Sequence, residues 1–474
     1  MTLEERLTKY VAELTWEDLP DSARDSVSKM LIDTAGVMLA GLKSQECRNL
    51  LSKYNSWGGA EESSVAGSNK RLPATAASFL GGVFAHWWEW DDTHDASAVH
   101  ASAVIFPALL AAAEVNKIDE GDASGREFVA ATVAAFDVAC QIGSTLNPHY
   151  QNGVMATGVP GHIGAAAGAA RLLGLGEEGI LSAMGIAAEQ AGLSRQPLAD
   201  RVNGKNILCG LAAGQAIHSA FAAQAGIKGS PNFLSGVYGL NATFAEGNAD
   251  LEKGLSELGK KFSVTETSIK LYPSCRSTHP GLDLTFDMMA DEPELANRVD
   301  TIEVRTSKIV NELVGSPFKP GEDPRVAAQF SIPYTQSVAL KRGKIALSDF
   351  DPAQVTTDNA VLEMAKRVSV KTRTEEGPGA NWWRPYTVKM NLVDGSIREK
   401  SVTALKGSLA RPLTMEEQQS KLDEAGKDML SPAQLEALAD ASRNIEAHGI
   451  GPVSYTHLRA HETRHDLVCR LLLE

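Results

Sequence analysis

Residues 86–100, HWWEWDDTHDASAVH, place four carboxylates and three histidines beside three tryptophans. Two carboxylates about 4 Å apart repel each other by about 4 kcal/mol at an effective dielectric near 20, and this repulsion raises the pKa of at least one of them. A carboxyl group that is partly protonated near neutral pH can donate a proton. The stretch therefore predicts a site for acid and base chemistry.

Two other interpretations of this cluster stay open on the residues alone. In the first, the carboxylates form a solvated polar turn between two helices, and Asp92 or Asp95 only caps the helix that follows. In the second, Asp91, Asp92 and Asp95 match the DDxxD pattern with which helical prenyl-diphosphate enzymes hold magnesium, an ion that prefers oxygen ligands. The sequence carries no second DDxxD motif, and we therefore expect no metal.

Charge and composition restrict the partners. The formal net charge is −14, and the absence of a run of Lys and Arg predicts that the protein does not bind nucleic acid. The N-terminus MTLEERLTKY carries charges where a signal peptide needs an apolar segment, and no apolar run reaches about eighteen residues. We therefore expect a cytoplasmic protein with no membrane partner. The cysteines at positions 47, 140, 209 and 275 form no CxxC pair, which predicts reduced thiols that pack in the interior.

The elements that must position the cluster are helices over the first part of the chain. DSARDSVSKMLIDTAGVMLAGL (residues 21–42) has helical periodicity, GHIGAAAGAARLLGLG (161–176) consists almost entirely of small residues, and a further helix is predicted to start at Pro107. The apolar run over 76–88 places Glu89 near the C-terminal end of another helix. The sequence predicts a large all-helical domain over residues 1–268.

Beyond residue 272 the pattern becomes that of strands. RVDTIEVRTS (298–307) and YTVKMNLVDGSIREKSV (386–402) alternate apolar and polar residues, and Asp394-Gly395 is a strong signal for a two-residue hairpin. KRVSVKT (366–372) is a third candidate strand. We therefore predict a smaller α+β lid domain over residues 269–406.

Two capping boxes predict that the chain then returns to helix. Thr414 pairs with Glu417 and Ser431 with Gln434, each three residues apart. We expect residues 407–452 to rejoin the helical domain, so that the fold is mainly α with an inserted lid. Residues 453–474 break the local pattern and resemble the translation of a sequencing adapter joined to a truncated gene, so we expect a non-native tail.

Several segments together resemble the MmgE/PrpD family. Residues 86–114 are similar to the family pattern H-a-L-D-[YF]-D-D-T-H, followed by H-P-S and an apolar run that contains proline. Five further segments follow in the family order: TGVPGHIGAAAGAARLLGL, GKNILCGLAAGQAIHSAFAAQAGIKG, YPSCRSTHPGLD, AAQFSIPYTQSVAL and KGSLARPLTMEEQQSKLDEA. The resemblance covers approximately residues 5–450.

The resemblance implies a large helical domain with a smaller α+β lid, usually in a homodimer, and no cofactor or metal. The family includes 2-methylcitrate dehydratase, cis-aconitate decarboxylase and iminodisuccinate epimerase, and its substrates are small di- and tricarboxylates. We therefore expect a lyase, first of all a dehydratase for a substrate of the 2-methylcitrate type, as in propionate catabolism. The alternatives are decarboxylation or epimerisation of a related polycarboxylate, and a family member that binds a polycarboxylate without turnover.

The resemblance also implies roles for individual residues. His100 falls on a family histidine and is expected to transfer the proton, because its ordinary pKa lets it act as acid or base near neutral pH. The other expected catalytic residues are Glu89, Thr93, Lys205 and Tyr334. The residues expected to bind the substrate are Asp92, Lys270, Cys275, Arg276 and His279.

Two positions depart from the family pattern. Glu89 stands where the family has aspartate, which keeps the charge on a longer side chain. Met155 stands where the family has histidine, and a thioether cannot donate or transfer a proton. His149 and His162 are the nearest histidines in the sequence, and neither has the family spacing.

Overall fold

The computed structural model of the chain describes residues 1–68, 70–117, 122–149, 153–374, 382–451 and 453. It is 60% helical with few, short strands, which confirms the predicted mainly α class. The predicted tail beyond Val453 lies outside the described residues.

Helices make up the first part of the chain, and they pack closely where small residues face each other. A Cβ atom built at Gly210 would lie 2.4 Å from the carbonyl oxygen of Phe79, so only glycine allows this approach of two helices. The helices are α1 (Leu3–Glu13), α2 (Asp21–Gly41), α3 (Gln45–Trp57), α4 (Ala74–His86), α5 (Ser102–Val115), α6 (Asp122–Leu146), α7 (Pro160–Leu172), α8 (Glu177–Glu189), α9 (Gln196–Ala199), α10 (Leu208–Gln224), α11 (Leu240–Ala245), α12 (Leu251–Gly254) and α13 (Ser263–Glu266).

Helix α5 begins earlier than predicted. Its first residue is Ser102, and Pro107 lies inside the helix rather than at its start. The backbone N–H of Ser102 donates to both carboxylate oxygens of Asp92, at 3.0 and 3.1 Å. Proline removes one hydrogen bond from a helix interior, but the residues around Pro107 are almost all buried, and their apolar packing stabilises the helix.

Two short strand pairs lie in the helical part, one within a single loop and one between segments far apart in the chain. Strand β1 (Ser63–Ser64) pairs with β2 (Arg71–Leu72), and β3 (Thr93–His94) pairs with β4 (Thr267–Ser268). The β3–β4 pair joins the acidic loop after α4 to the segment that precedes Lys270. These two-residue strands were not predicted, because they are too short to show an alternation of apolar and polar residues.

The second part of the chain contains a four-stranded sheet with the order β6-β5-β7-β8. Strands β5 and β6 are parallel, and the other neighbours are antiparallel. Strands β7 and β8 form the predicted hairpin, with Gly395 at φ 84° in its turn. The strands are β5 (Val299–Thr306), β6 (Val368–Thr372), β7 (Thr387–Leu392) and β8 (Ile397–Ser401), which confirms the three predicted strand segments.

Seven helices accompany the sheet, and three follow it. The first group is α14 (His279–Asp291), α15 (Leu295–Arg298), α16 (Lys308–Val314), α17 (Pro324–Gln329), α18 (Ile332–Arg342), α19 (Pro352–Thr357) and α20 (Asn359–Ala365). The second group is α21 (Met415–Gly426), α22 (Pro432–Arg443) and α23 (Ile445–His448). The capping boxes at Thr414 and Ser431 are both present and begin α21 and α22, as predicted.

The apolar side chains form two main cores. The larger contains residues of α1–α8, of α10–α13 and, again, of α21–α23, such as Leu422 and Leu438. The smaller lies against the four-stranded sheet and includes Val304, Val388 and Met390. From this distribution we infer that the chain leaves the larger core near residue 269 and returns to it near residue 407.

One described helical segment, Ser124–His149, is long and apolar enough to cross a membrane by length and composition. Of its apolar window, 94% is buried inside the protein. Such burial is also typical of a central core helix, so the segment carries little evidence for a membrane span.

Candidate active site

A cavity of about 250 Å³ lies where the helical part meets the sheet-bearing part. Its lining includes two chemically different sets, together with further polar and small residues such as Asp95, Asn147 and Arg195. The charged wall is the set Glu89, His100, Lys205, Lys270 and Arg276. The apolar wall is the set Met155, Leu198, Ile309, Leu313, Phe330 and Trp382.

Glu89 lies just after α4 and anchors the cations of the charged wall. It is buried, its backbone has φ 55°, and its carboxylate forms an ion pair with Lys205. The ammonium of Lys270 lies 3.8 Å from its carboxylate. Burial opposes ionisation, but the charges of Lys205 and Lys270 outweigh it and lower the pKa of Glu89. Glu89 is therefore an ionised carboxylate that holds cations rather than a proton donor.

A neutral histidine holds Lys205 from the other side. Burial lowers the pKa of His86 to about 4, so its imidazole is uncharged at neutral pH. Its Nδ1 lies 2.7 Å from a carboxylate oxygen of Asp91, and its Nε2 lies 2.6 Å from the Lys205 ammonium. We assign the proton to Nδ1, because Nε2 then accepts from the ammonium. His86 and Asp91 were not among the predicted site residues, although both lie in the acidic stretch 86–100.

His100 is oriented in a way that suits proton transfer. Its side chain is 15% exposed and lines the cavity. Its Nδ1 lies 2.8 Å from the carbonyl oxygen of Asp92 and 3.3 Å from the carboxylate of Asp91. These oxygens accept the Nδ1 proton, and no described residue forms a hydrogen bond with Nε2. A histidine with one nitrogen held by a carboxylate and the other open to a cavity is the arrangement of a general acid or base.

Asp91 is the common anchor of the two histidines. It is buried, but its interactions with His86, His100 and Lys270 outweigh the effect of burial and hold its pKa well below the ordinary value. The Lys270 ammonium lies 3.7 Å from it. Asp91 is therefore ionised and stabilises a protonated His100.

The remaining cations of the charged wall are placed for carboxylate recognition. Lys270 is buried and donates to the backbone carbonyl of Glu89 at 3.1 Å. Arg276 donates to the carbonyl of Lys406 at 3.1 Å and lies 3.3 Å from a carboxylate oxygen of Asp95. Arginine and lysine in a site closed from water form strong hydrogen bonds with carboxylates. This wall can therefore bind an anion although the chain as a whole is acidic.

Two further predicted residues also line the cavity. The Thr93 hydroxyl lies 3.4 Å from Nδ1 of His100. Burial raises the pKa of the Cys275 thiol, which keeps it neutral. With the five residues of the charged wall, seven of the predicted site residues lie together.

The structure does not bring the other three predicted residues to the cavity lining. Asp92 is buried behind the loop, where it caps α5, and burial together with the Asp91 charge raises its pKa to about 8. His279 packs against Tyr272, with ring centroids 5.0 Å apart. The hydroxyl of Tyr334 donates to the carbonyl of Asp349 at 2.6 Å. These side chains shape or support the site instead of facing a substrate.

Met155 lines the cavity, whereas His149 and His162, the nearest histidines in the sequence, do not. His149 is exposed at the end of the segment that follows α6. His162 is buried in α7, and burial lowers its pKa to about 4. Of the histidines in the described ranges, His100 is therefore the one on the cavity surface.

The structure decides between the earlier interpretations of the acidic cluster. Asp91 contacts two histidines, Asp92 accepts from the start of α5, and Asp95 accepts from Ser268 at 2.8 Å and lies beside Arg276. Because the three carboxylates have different partners, they do not form a shared site for magnesium. Asp91 and Asp92 are also fully buried, which excludes a solvated turn.

Two groups of described side chains have the spacing of metal ligands, and both contain His86: one adds Glu89 and His100, the other Asp91 and Cys209. Ligand atoms of His86, Glu89 and His100 lie within 4.8 Å of one another. However, the Lys205 ammonium already binds both His86 and Glu89. The Lys205 ammonium therefore binds the lone pairs of His86 and Glu89 that a metal ion would need.

The chain is similar to known proteins over nearly its whole length. The family model for the MmgE/PrpD N-terminal domain matches residues 5–252, and that for the MmgE/PrpD C-terminal domain matches residues 272–447. The cis-aconitate decarboxylase-like protein oryM of Aspergillus oryzae is 27% identical over 465 residues, which cover 93% of this chain and 94% of that protein. The cis-aconitate decarboxylase of Aspergillus terreus is 24% identical over 410 residues (83% of each chain), and that of Homo sapiens is 26% identical over 441 residues (90% of this chain and 88% of the human protein). The chain therefore belongs to the MmgE/PrpD family.

Proposed function

We propose that the protein is a cofactor-independent lyase that decarboxylates a substrate of the cis-aconitate type. The observation that carries the proposal is the pairing of one oriented histidine, His100, with the cations Lys205, Lys270 and Arg276 on one cavity wall. The relatives described above support the choice of reaction, since they are named as cis-aconitate decarboxylases or as similar to one. This choice differs from the dehydration that we expected first from the sequence.

This decarboxylation requires the protonation of one carbon atom of the substrate. The bond between the methylene carbon and its carboxylate breaks, and its electron pair forms a new terminal double bond. The electron pair of the original double bond takes a proton at the far carbon, and carbon dioxide leaves. The carboxylates that stay need cations that stabilise the developing negative charge.

The residues of the charged wall suit these requirements. In the proposed reaction His100 donates the proton from Nε2 while Asp91 and the backbone of Asp92 hold Nδ1. Lys270 and Arg276 bind the carboxylates that remain in the product. Lys205, fixed between His86 and Glu89, adds positive charge beside them.

Met155 favours decarboxylation over dehydration. Loss of water from a hydroxy acid needs a base for the C–H proton and an acid for the hydroxyl group. A thioether occupies the position of the second family histidine and supplies neither. Dehydration of a substrate of the 2-methylcitrate type is the second candidate, because the neutral Cys275 thiol on the cavity is a further proton donor.

Product analysis by NMR tests the proposal. The purified protein is incubated in parallel with cis-aconitate, 2-methylcitrate and iminodisuccinate, with and without EDTA. We expect loss of carbon dioxide from cis-aconitate, new signals of a terminal methylene group, and no effect of EDTA. Turnover of 2-methylcitrate alone would select dehydration, and turnover of iminodisuccinate alone would select epimerisation. If a carboxylate raises the melting temperature of the protein but none is turned over, the protein binds a polycarboxylate without catalysis. If EDTA abolishes the activity and magnesium restores it, the reaction requires a metal.

A further inference from the structure

The apolar wall of the cavity is larger than a simple tricarboxylate needs. Such a substrate consists of carboxylates joined by one or two carbon atoms, and a carboxylate placed against apolar side chains loses hydration without gaining a partner. Yet six large apolar side chains line the same cavity as the charged wall. The lining therefore implies a second, apolar part of the ligand.

Most of this wall continues the apolar core of the sheet-bearing part. Phe330 belongs to that core, and Leu198, Leu313 and Trp382 pack against it while they line the cavity. Their positions are thus fixed by packing and do not depend on a ligand. A concave surface lined by fixed apolar side chains, with a few charged groups at one side, is typical of a small-molecule site.

Helix α16 presents more apolar surface than its packing requires. Val310 is buried in the core and fixes the helix. Ile309 and Leu313 are four residues apart on one side of the helix, and both line the cavity. The side chain of Ile309 is 54% exposed, so a ligand in the cavity that contacts it would remove apolar surface from water.

The two walls meet at Lys205 and Phe330. The Lys205 ammonium lies 5.4 Å from the centre of the Phe330 ring. Met155, a flexible and polarisable side chain, extends the apolar surface at the position where the family pattern has histidine. A single small molecule can therefore contact both walls at once.

We propose that the preferred substrate is an alkyl-substituted polycarboxylate, whose carboxylates bind the charged wall and whose alkyl chain of several carbons lies along the apolar wall. This proposal rests on the function proposed above, because that function assigns the carboxylates of the ligand to the charged wall. Each methylene group buried against the apolar wall should strengthen binding roughly fourfold.

Binding of unreactive analogues tests the proposal without requiring turnover. Titration calorimetry compares propane-1,2,3-tricarboxylate with homologues that carry a methyl or propyl group on a terminal methylene carbon. These saturated compounds lack the double bond that the proposed reaction uses. We expect the propyl homologue to bind at least tenfold more tightly than the unsubstituted compound. Equal or weaker binding of the propyl homologue would overturn the proposal.

Variants of α16 locate the alkyl chain. Ile309→Ser and Leu313→Ala should each reduce the preference for the propyl homologue at least threefold. Ile397→Ser is the matched control, because Ile397 is 50% exposed on β8 and does not line the cavity. It should leave the preference unchanged. A preference that none of the α16 variants alters would place the alkyl chain elsewhere and contradict the proposal.

The two proposals fail in different ways. Turnover of cis-aconitate without an alkyl preference in binding would contradict the alkyl substrate and leave the lyase function in place. A clear alkyl preference in binding, without turnover of any plain or alkylated substrate, would contradict the lyase function and leave the ligand class in place.

Discussion

The two walls of the cavity are built in opposite ways. On the charged wall, the ionisable side chains contact neighbours that fix their position and charge: Lys205 lies between His86 and Glu89, and Asp91 anchors two histidines. On the apolar wall, the side chains are extensions of a core, and Ile309 remains largely exposed. The first wall is preorganised for one kind of chemistry, whereas the second can accept apolar groups of different length.

This difference predicts where substitutions are tolerated. Preorganised charges in a buried network depend on each other, and removal of one leaves a partner uncompensated. Apolar side chains at a cavity surface act nearly independently, and their loss changes the ligand preference more than the fold. Substitutions on and behind each wall test this contrast.

The largest effect is expected behind the charged wall, at Lys421. Its ammonium donates to the carbonyl of Trp90 at 2.8 Å and forms a buried ion pair with Asp33 at 2.5 Å. Lys421→Met should lower the free energy of unfolding by about 3 to 5 kcal/mol, because it leaves a buried carboxylate without its partner. Urea denaturation measures the loss.

A double variant is the control for this prediction. The Asp33→Asn, Lys421→Met protein removes both charges and should be more stable than Lys421→Met alone by at least ~1 kcal/mol. If the double variant is no more stable than the single one, the loss comes from packing rather than from the unpaired charge.

The next effect concerns Asp92 and depends on pH. The pKa of Asp92 is about 8 in the folded protein and about 4 in the unfolded chain. Between pH 4 and pH 8 the carboxyl group is therefore protonated in the folded state and ionised in the unfolded state. The protonated carboxyl stabilises the fold fully below the unfolded pKa, and this stabilisation is lost as the pH rises toward 8. The stability of the wild type relative to Asp92→Asn should therefore fall with rising pH, by up to ~1.4 kcal/mol of unfolding free energy per pH unit. A difference that stays constant from pH 5 to pH 8 would refute the raised pKa.

A smaller effect is expected for substrate binding at Arg276. Loss of a hydrogen bond to a charged group costs about 1.5 to 3 kcal/mol, so Arg276→Met should raise KM roughly tenfold or more and change kcat much less. The control is Arg305→Met, because Arg305 lies on the exposed face of β5 and pairs with Glu303. Steady-state kinetics with the substrate identified by NMR compare the two variants. An unchanged KM in Arg276→Met would remove Arg276 from the binding site.

The smallest effect on stability is expected on the apolar wall. Ile309→Ser should change the free energy of unfolding by no more than ~0.5 kcal/mol, as is usual for an exposed position. Denaturation under the conditions used for Lys421→Met provides the direct comparison. A loss above ~1 kcal/mol would show that the apolar wall is structural, and the contrast between the walls would then be wrong.

The sequence predicted the charged wall better than the apolar wall, for a physical reason. Charged residues within apolar segments are unusual and therefore stand out in the sequence. The family motifs then single out five of them: Glu89, His100, Lys205, Lys270 and Arg276. Apolar residues such as Ile309 and Leu313 have the same periodicity whether they face a core or a cavity. Only the three-dimensional packing distinguishes the two cases.

The placement of three predicted residues away from the cavity lining has a similar origin. Tyr334, His279 and Asp92 lie beside true cavity residues in the sequence, but their side chains are directed to other partners by the geometry of α18, α14 and the loop before α5. The fold was predicted more completely, because the Asp394-Gly395 hairpin and both late capping boxes are local signals. The β3–β4 pair joins residues far apart in the chain and gives no local signal.

The measurement that most directly tests the central claim follows proton delivery by His100 in D₂O. With cis-aconitate, the wild-type protein should form a product with one deuterium, in one configuration, on the carbon that was protonated. His100→Asn should slow the reaction by about 10² to 10⁴, whereas His218→Ala, at an exposed histidine of α10, should not. Product formation by His100→Asn at the wild-type rate, or deuterium in both configurations from the wild type, would contradict the account.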